Sequence, residues 1–168
     1  MTAGIETELN RGVTGFDRLY GREFVSCDEE EVVARVRIHG QHKQPIGLVH
    51  GVLYAAIAES ITTIATVLSV AKDGNIALGL SNNTSFLRTM TQGTIHAVGR
   101  RRHAGRTTWV WVEMSDDDGR ACALTRTTVA IRKSERVGRS PLVLLSFLLT
   151  VFAINVDTGR PRHALEYY

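Results

Sequence analysis

Gln44-Pro-Ile-Gly-Leu-Val-His50-Gly51-Val-Leu-Tyr-Ala-Ala-Ile-Ala-Glu59-Ser-Ile-Thr-Thr63-Ile-Ala is the stretch whose reading decides the fold. A loop marked by Pro45 and Gly47 runs into a His-Gly step, after which neither Gly nor Pro occurs until Gly74. That pattern predicts a helix beginning at His50 or Gly51 and fading near Ala71. Apolar residues fall on nearly every side of it, among them Val52, Leu53, Ile57, Ile61, Ile64 and Leu68, which is the composition of a helix enclosed by protein. Glu59 is the anomaly. At about 100° per residue, Glu59, Thr62, Thr63 and Thr66 share one narrow polar face.

His50 fits the loop entering the helix, where free backbone N–H groups and the positive end of the dipole attract negative charge. Gly51 places no Cβ in the way of a ligand. An oxyanion at the Gly51 N–H, with Glu59 about two turns deeper, is a workable arrangement for acyl transfer. The same residues also read as a plain helix cap followed by a structurally paired carboxylate, since a carboxylate in an apolar setting marks function only statistically.

Working outward, Phe16 to Tyr20 reads as a helical turn closed by Gly21. Glu23 to Cys27 is a strand, Asp28 to Glu31 a solvated acidic turn, and Val32 to Ile38 the hairpin partner, with Arg35 and Arg37 alternating against apolar neighbours. Past Gly74, strands are expected at Ile76–Leu87, Thr94–Arg102, Thr107–Met114 and Arg120–Arg132. Asp116-Asp-Asp-Gly119 makes the last tight turn. Two strands, one helix and a meander of four strands define an antiparallel α+β layout, a twisted sheet wrapped around the helix.

The 168 residues, 43 % hydrophobic, support a single core rather than several domains. The net charge of +3 suits an anionic small ligand at least as well as nucleic acid, and no nucleic-acid partner is expected. Cys27 and Cys122 stand apart without metal-ligand or disulfide spacing, which points to a reducing cytoplasm. No apolar leader precedes Arg11. His39 and His42 lack partners that would complete a recognisable metal site, so no metal is expected.

The set Gln44, His50-Gly51, Glu59 and Thr63 resembles the signature of hotdog-fold acyl-CoA thioesterases, in the branch of 4-hydroxybenzoyl-CoA and phenylacetate-pathway thioesterases. Further support comes from Ser-Asn82-Asn83-Thr-Ser-Phe-Leu-Arg88, His103-Ala-Gly105-Arg106 and Asp-Asp-Gly119-Arg120. The resemblance covers residues 15–133, with 1–14 an N-terminal segment and 134–168 a C-terminal extension. It implies the hotdog fold and hydrolysis of an aromatic or aliphatic acyl-CoA, with coenzyme A as part of the substrate and no separate cofactor. It also implies a homodimer or dimer of dimers with the thioester in the interface.

Carried over, Glu59 is the nucleophile or general base and the Gly51 N–H polarises the carbonyl. Gln44 and His50 position the thioester, and Thr63 holds the water or the carboxylate. Asn82, Asn83, Arg88, Arg101, His103 and Arg106 are candidate substrate contacts, the basic turn at 100–106 facing the coenzyme A phosphates. That turn reads equally as a solvated basic hairpin. Tyr54, Phe86 and Leu87 suit either an aromatic or a medium-length aliphatic acyl group.

Two features depart from the resemblance: His50-Gly51-Val52 replaces the His-Gly-Gly of many relatives, and the tail carries an apolar run at 142–156. That run is short for a bilayer span, and packing on an oligomer surface is favoured over membrane contact. A noncatalytic acyl-CoA-binding module is the alternative function. A hydratase on the same fold would need a further Asp and His, for which no motif is present.

Overall fold

A computed structural model describes residues 4–133; the apolar run at 142–156 lies outside the described residues. Helix α1 (Ile5–Arg11) and helix α2 (Gly15–Tyr20) precede strands β1 (Arg22–Cys27) and β2 (Glu31–Arg37). Helix α3 (Gly51–Val70) follows, and then β3 (Asn75–Phe86), β4 (Thr94–His103), β5 (Thr107–Ser115) and β6 (Ala121–Lys133). All six strands form one antiparallel sheet in the order β1-β2-β4-β5-β6-β3. This is the hotdog fold, the sheet curling around α3.

The order corrects the expected four-strand meander. Only β4, β5 and β6 follow one another. β2 pairs directly with β4, with Val33 opposite Val98, while β3 crosses to the far side of β6. Local alternation cannot distinguish these pairings, because a strand's period reports which face is buried and not which neighbour it takes.

Period-two burial puts Val32, Ala34, Val36, Ile95, Ala97, Val110, Val112 and Met114 under the helix, where they meet Leu53, Ile57, Ile61 and Ala65. Gly99 lets the helix settle, since a Cβ there would strike the Ile61 side chain. On the outer face Trp109 and Trp111 remain part-exposed, with the Arg126 guanidinium 5.6 Å from the Trp109 ring centre and that of Arg102 5.9 Å from Trp111.

Residues ahead of Gly15 also fold. The Asn10 side chain brackets the Phe24 backbone, donating to its carbonyl and accepting from its N–H, both at 2.8 Å. α2 ends at Gly21 in the left-handed region (φ 70°) and delivers Asp17 to the central helix. The Asp17 carboxylate receives Tyr20 Oη at 2.7 Å, Ser60 Oγ at 2.6 Å and Arg22 Nε at 3.0 Å.

The helix is not enclosed on every side. Val52 is 57 % exposed, Glu59 is exposed, and Ala55, Ala56, Thr63 and Val67 are only partly covered, so one stripe lies open. Beside it runs edge strand β3, presenting Leu78 and Leu80, 48 % and 58 % exposed.

Candidate active site

Helix α3 starts as expected. His50 is extended (φ −70°, ψ 130°) and its Nδ1 accepts the Val52 N–H at 3.2 Å, capping the first turn. With Nδ1 so used, Nε2 carries the proton of the neutral ring. The Leu53 N–H donates to the His50 carbonyl at 3.0 Å, whereas the Gly51 N–H makes no hydrogen bond among the described residues. An unpaired donor at a helix N-terminus is suited to a developing oxyanion.

Gln44 stands over this turn because its loop closes on itself: its N–H donates to the Leu48 carbonyl and its carbonyl accepts the Gly47 N–H, both at 2.8 Å. Gln44, Leu48, Val49, Gly51, Tyr54, Phe86, Leu87, Arg88 and Thr89 line a cleft of about 270 Å³. The structure thus brings Gln44 and Gly51 together with Tyr54, Phe86 and Leu87. A second, wider cleft shares Arg88 and Thr89 with the first and continues to Arg37, Arg120 and the 116–118 turn.

Glu59 lies elsewhere. Eight residues at about 1.5 Å each separate it from Gly51 by about 12 Å along the helix. The cleft at Gly51 is lined by Gln44, Tyr54 and Phe86 but not by Glu59, so on one chain the two groups stand apart, whereas reacting groups on one carbonyl need to come within about 3–3.5 Å. Glu59 instead rests over β3, where the missing side chain of Gly79 leaves room for its carboxylate.

The expected polar stripe also divides. Glu59 and Thr63 lie on the open side, while Thr62 and Thr66 are buried. Thr62 Oγ1 meets Thr127 Oγ1 at 2.6 Å, Thr127 Oγ1 donates to the Val110 carbonyl at 3.1 Å, and Thr66 Oγ1 donates to the Thr62 carbonyl at 2.9 Å. Thr62 thus ties helix to sheet through Thr127, while Thr66 bonds back within the helix.

Asn82 donates through Nδ2 to the Ala55 carbonyl at 3.0 Å, fastening β3 to α3, and its Oδ1 accepts Thr84 Oγ1 at 2.9 Å. Asn83 is exposed on the strand, opposite Arg126. The basic hairpin is partly neutralised by the acidic turn, which is more than a solvated loop. Arg100 Nε meets Glu31 at 2.8 Å, Arg101 pairs with Glu30, and Lys72 meets Glu29 at 3.2 Å. His103 contacts the Trp109 ring edge-on at 6.5 Å, and Arg106 is exposed. Neither Arg88 nor Arg106 joins an ion pair among the described residues.

No group of three or more His, Cys, Asp or Glu among the described residues is placed to hold a metal. His42 is buried, its Nδ1 accepting the His39 N–H at 3.1 Å; burial, and secondarily His39, lowers its pKa. Cys27 and Cys122 are free thiols, both raised by burial above all. Gly79 escaped the sequence reading, although an isolated glycine within a strand pattern is itself a signal of close approach.

Residues 46–123 match the family model of the Thioesterase superfamily. Thioesterase PA1618 of Pseudomonas aeruginosa is 36 % identical over 114 residues, 67 % of this chain and 79 % of the relative. A crystal structure of a variant of it superimposes with a TM-score of 0.71, covering 78 % of this chain and 95 % of that one. The proofreading thioesterase EntH of Cronobacter turicensis is 30 % identical over 66 % of this chain and 81 % of its own. The 1,4-dihydroxy-2-naphthoyl-CoA hydrolase of Escherichia coli is 31 % identical over 64 % and 79 %. The chain belongs to the thioesterase superfamily, and its enzyme class is thioester hydrolase.

Proposed function

We propose that the protein hydrolyses the thioester of an aromatic or aliphatic acyl-CoA in a site shared by two copies of the chain, Gly51 coming from one and Glu59 from the other. The observation that carries this reading is the separation of about 12 Å between those residues along a single helix. A second copy would also cover the open stripe of α3. The free edge of β3, twelve residues long with Leu78 and Leu80 exposed, is suited to continue the sheet into a partner.

In this mechanism the thioester carbonyl oxygen takes the Gly51 N–H, with Gln44 and the His50 Nε2–H holding the carbonyl region. The partner subunit's Glu59 either attacks the carbonyl carbon, forming an anhydride that water then opens, or removes a proton from water as it adds. Thr63, one turn beyond Glu59, holds the water or the carboxylate. The carbon–sulfur bond breaks, the thiolate leaves and takes up a proton, and the products are the carboxylic acid and coenzyme A. A thioester is activated enough for one carboxylate and one oxyanion donor to suffice.

Arg88, shared by both clefts and in no ion pair among the described residues, is suited to meet the anionic part of the substrate. Arg106, His103 and Asn83 are further candidates, whereas Arg101 and Asn82 already have protein partners. A panel of aromatic and aliphatic acyl-CoAs, followed by free-thiol release and by equilibrium binding, tests the function. Turnover of at least one member is expected. Tight binding without release would favour a noncatalytic acyl-CoA-binding module.

A further inference from the structure

Residues 42–50 close into a small hairpin. Its legs meet at the Lys43–Val49 bridge, at the Gln44 N–H on the Leu48 carbonyl and, at the base, at the His50 N–H on the His42 carbonyl, the last two at 2.8 Å. Gln44 rides on the leg that begins at His42, and the other leg runs into α3 through His50 and Gly51. A displacement at residue 42 therefore reaches Gln44 along the chain. Through one hydrogen bond it also reaches His50, whose side chain caps the helix. Gly51 has little slack to absorb it, since an added Cβ there would come within 2.8 Å of Phe86 Cζ.

What fixes residue 42 is its own ring. His42 is 5 % exposed, and its Nδ1 accepts the His39 N–H at 3.1 Å. Nε2, which then carries the proton, is buried without a partner among the described residues. A buried donor left unpaired is destabilising, and a leucine would avoid that cost; the acceptor at Nδ1 is what a leucine could not supply. Protonation would turn that acceptor into a second donor facing the His39 N–H, and the anchor would be lost. Burial above all, and the His39 ring 5.7 Å away, lower the His42 pKa, so the ring is neutral at pH 7. No other charged side chain among the described residues bears on it.

We propose that His42 is a positioning residue for the oxyanion turn: its neutral ring, anchored on the His39 N–H, holds the hairpin that presents Gln44 and sets the direction of the Gly51 N–H. The role rests on the acyl-CoA reading, in which those two groups hold the thioester carbonyl. His42 does not line the cleft and acts only through the hairpin. A slip of the carbonyl's donors by up to about 1 Å corresponds to on the order of 10- to 100-fold in kcat.

The test uses the full chain and two variants: His42→Leu, which fills the volume without an acceptor, and His42→Asn, whose side-chain oxygen can accept where Nδ1 did. Amide and imidazole NMR signals are followed as pH falls, with no substrate present. The Gln44 and Gly51 amides should move with the midpoint of the His42 ring, and that step should vanish in His42→Asn. Thiol release is then measured with benzoyl-CoA and hexanoyl-CoA. His42→Leu should lose at least about tenfold in kcat at a KM within about twofold of the parent's, whereas His42→Asn should stay close to the parent near pH 7. The kcat of the parent divided by that of His42→Asn cancels His39, Lys43, His50 and Glu59, which both chains share, and should fall as pH drops through the His42 midpoint. Amides that ignore that midpoint, a kcat ratio flat across it, or a folded His42→Leu with the parent's kcat would overturn the assignment and leave His42 a packing residue. The amide steps and His42→Asn decide even where His42→Leu does not fold. Absence of thiol release with the amide steps present would sink only the hydrolytic reading.

Discussion

Gly79→Ala probes the placement of Glu59 without touching it. A Cβ at residue 79 would stand 3.4 Å from Glu59 Cδ and 3.6 Å from Oε2, with Oε1 closer still. The atom that must yield is the end of a flexible, exposed side chain, so the carboxylate swings by about 1 Å at little cost to the fold. Gly79 lies on a strand and has no positive φ, so alanine fits its backbone. Stability should change by less than about 0.5 kcal/mol, or rise slightly as the unfolded chain loses freedom. Misplacement of a reacting group by about 1 Å costs on the order of 100-fold, about 2.7 kcal/mol of barrier. The assay pairs kcat for thiol release with a thermal melt. A kcat within about twofold of the parent's at unchanged melting temperature would show that the carboxylate's seat on Gly79 is irrelevant to turnover.

Gly99→Ala provides the opposite case. Its Cβ would strike Ile61 inside the core, with Val112 Cγ2 at 3.5 Å and Val110 Cγ1 at 3.6 Å, and overpacking there should cost about 1–3 kcal/mol in a denaturant titration while the folded fraction keeps its kcat. His42 gives a pH signature. Its folded pKa is depressed by burial, so between that value and the ordinary histidine value near 6.5 the unfolded chain binds more protons, and stability falls as pH drops through the window. Denaturation midpoints at pH 7 and pH 5 should differ less in His42→Asn than in the parent; an equal difference would remove His42 from the linkage. Arg88→Ala should raise KM for acyl-CoA several-fold with kcat nearly constant. Arg101→Ala, which only frees exposed Glu30, should leave KM alone and cost under about 1 kcal/mol.

Most elements were legible because their signals are local. The Gly- and Pro-free run after Gly51 specified α3 to within a residue, and alternation in Val110, Val112 and Met114 against Trp109 and Trp111 specified both faces of β5. The strand order was not, since β2 joins β4 through contacts distant in sequence and β3 pairs with β6 beyond it. Periodicity grouped Thr62 and Thr66 with Glu59, but the four positions spread over an arc of about 100°, and the pair on one edge of it lies under the sheet. The residue types of the candidate site could be read, whereas the distance between Gly51 and Glu59 only acquires meaning once the helix is known to be continuous. The role of Gly79 required knowing which strand lies beside Glu59.

The shared site can be tested by mixing two inactive chains. Glu59→Gln removes the carboxylate. Gly51→Pro deletes the N–H at the first helical position, where proline is tolerated and the extended His50 suits a following proline, the exposed Phe86 ring giving way. Each variant alone should lose at least about 100-fold in thiol release. Co-assembled at equal ratio, they should recover about a quarter of the parent's activity, because half of randomly formed dimers are mixed and each carries one intact site. Mixtures whose subunits demonstrably exchange yet stay as inactive as the separate variants would contradict a site made from Gly51 of one chain and Glu59 of its partner.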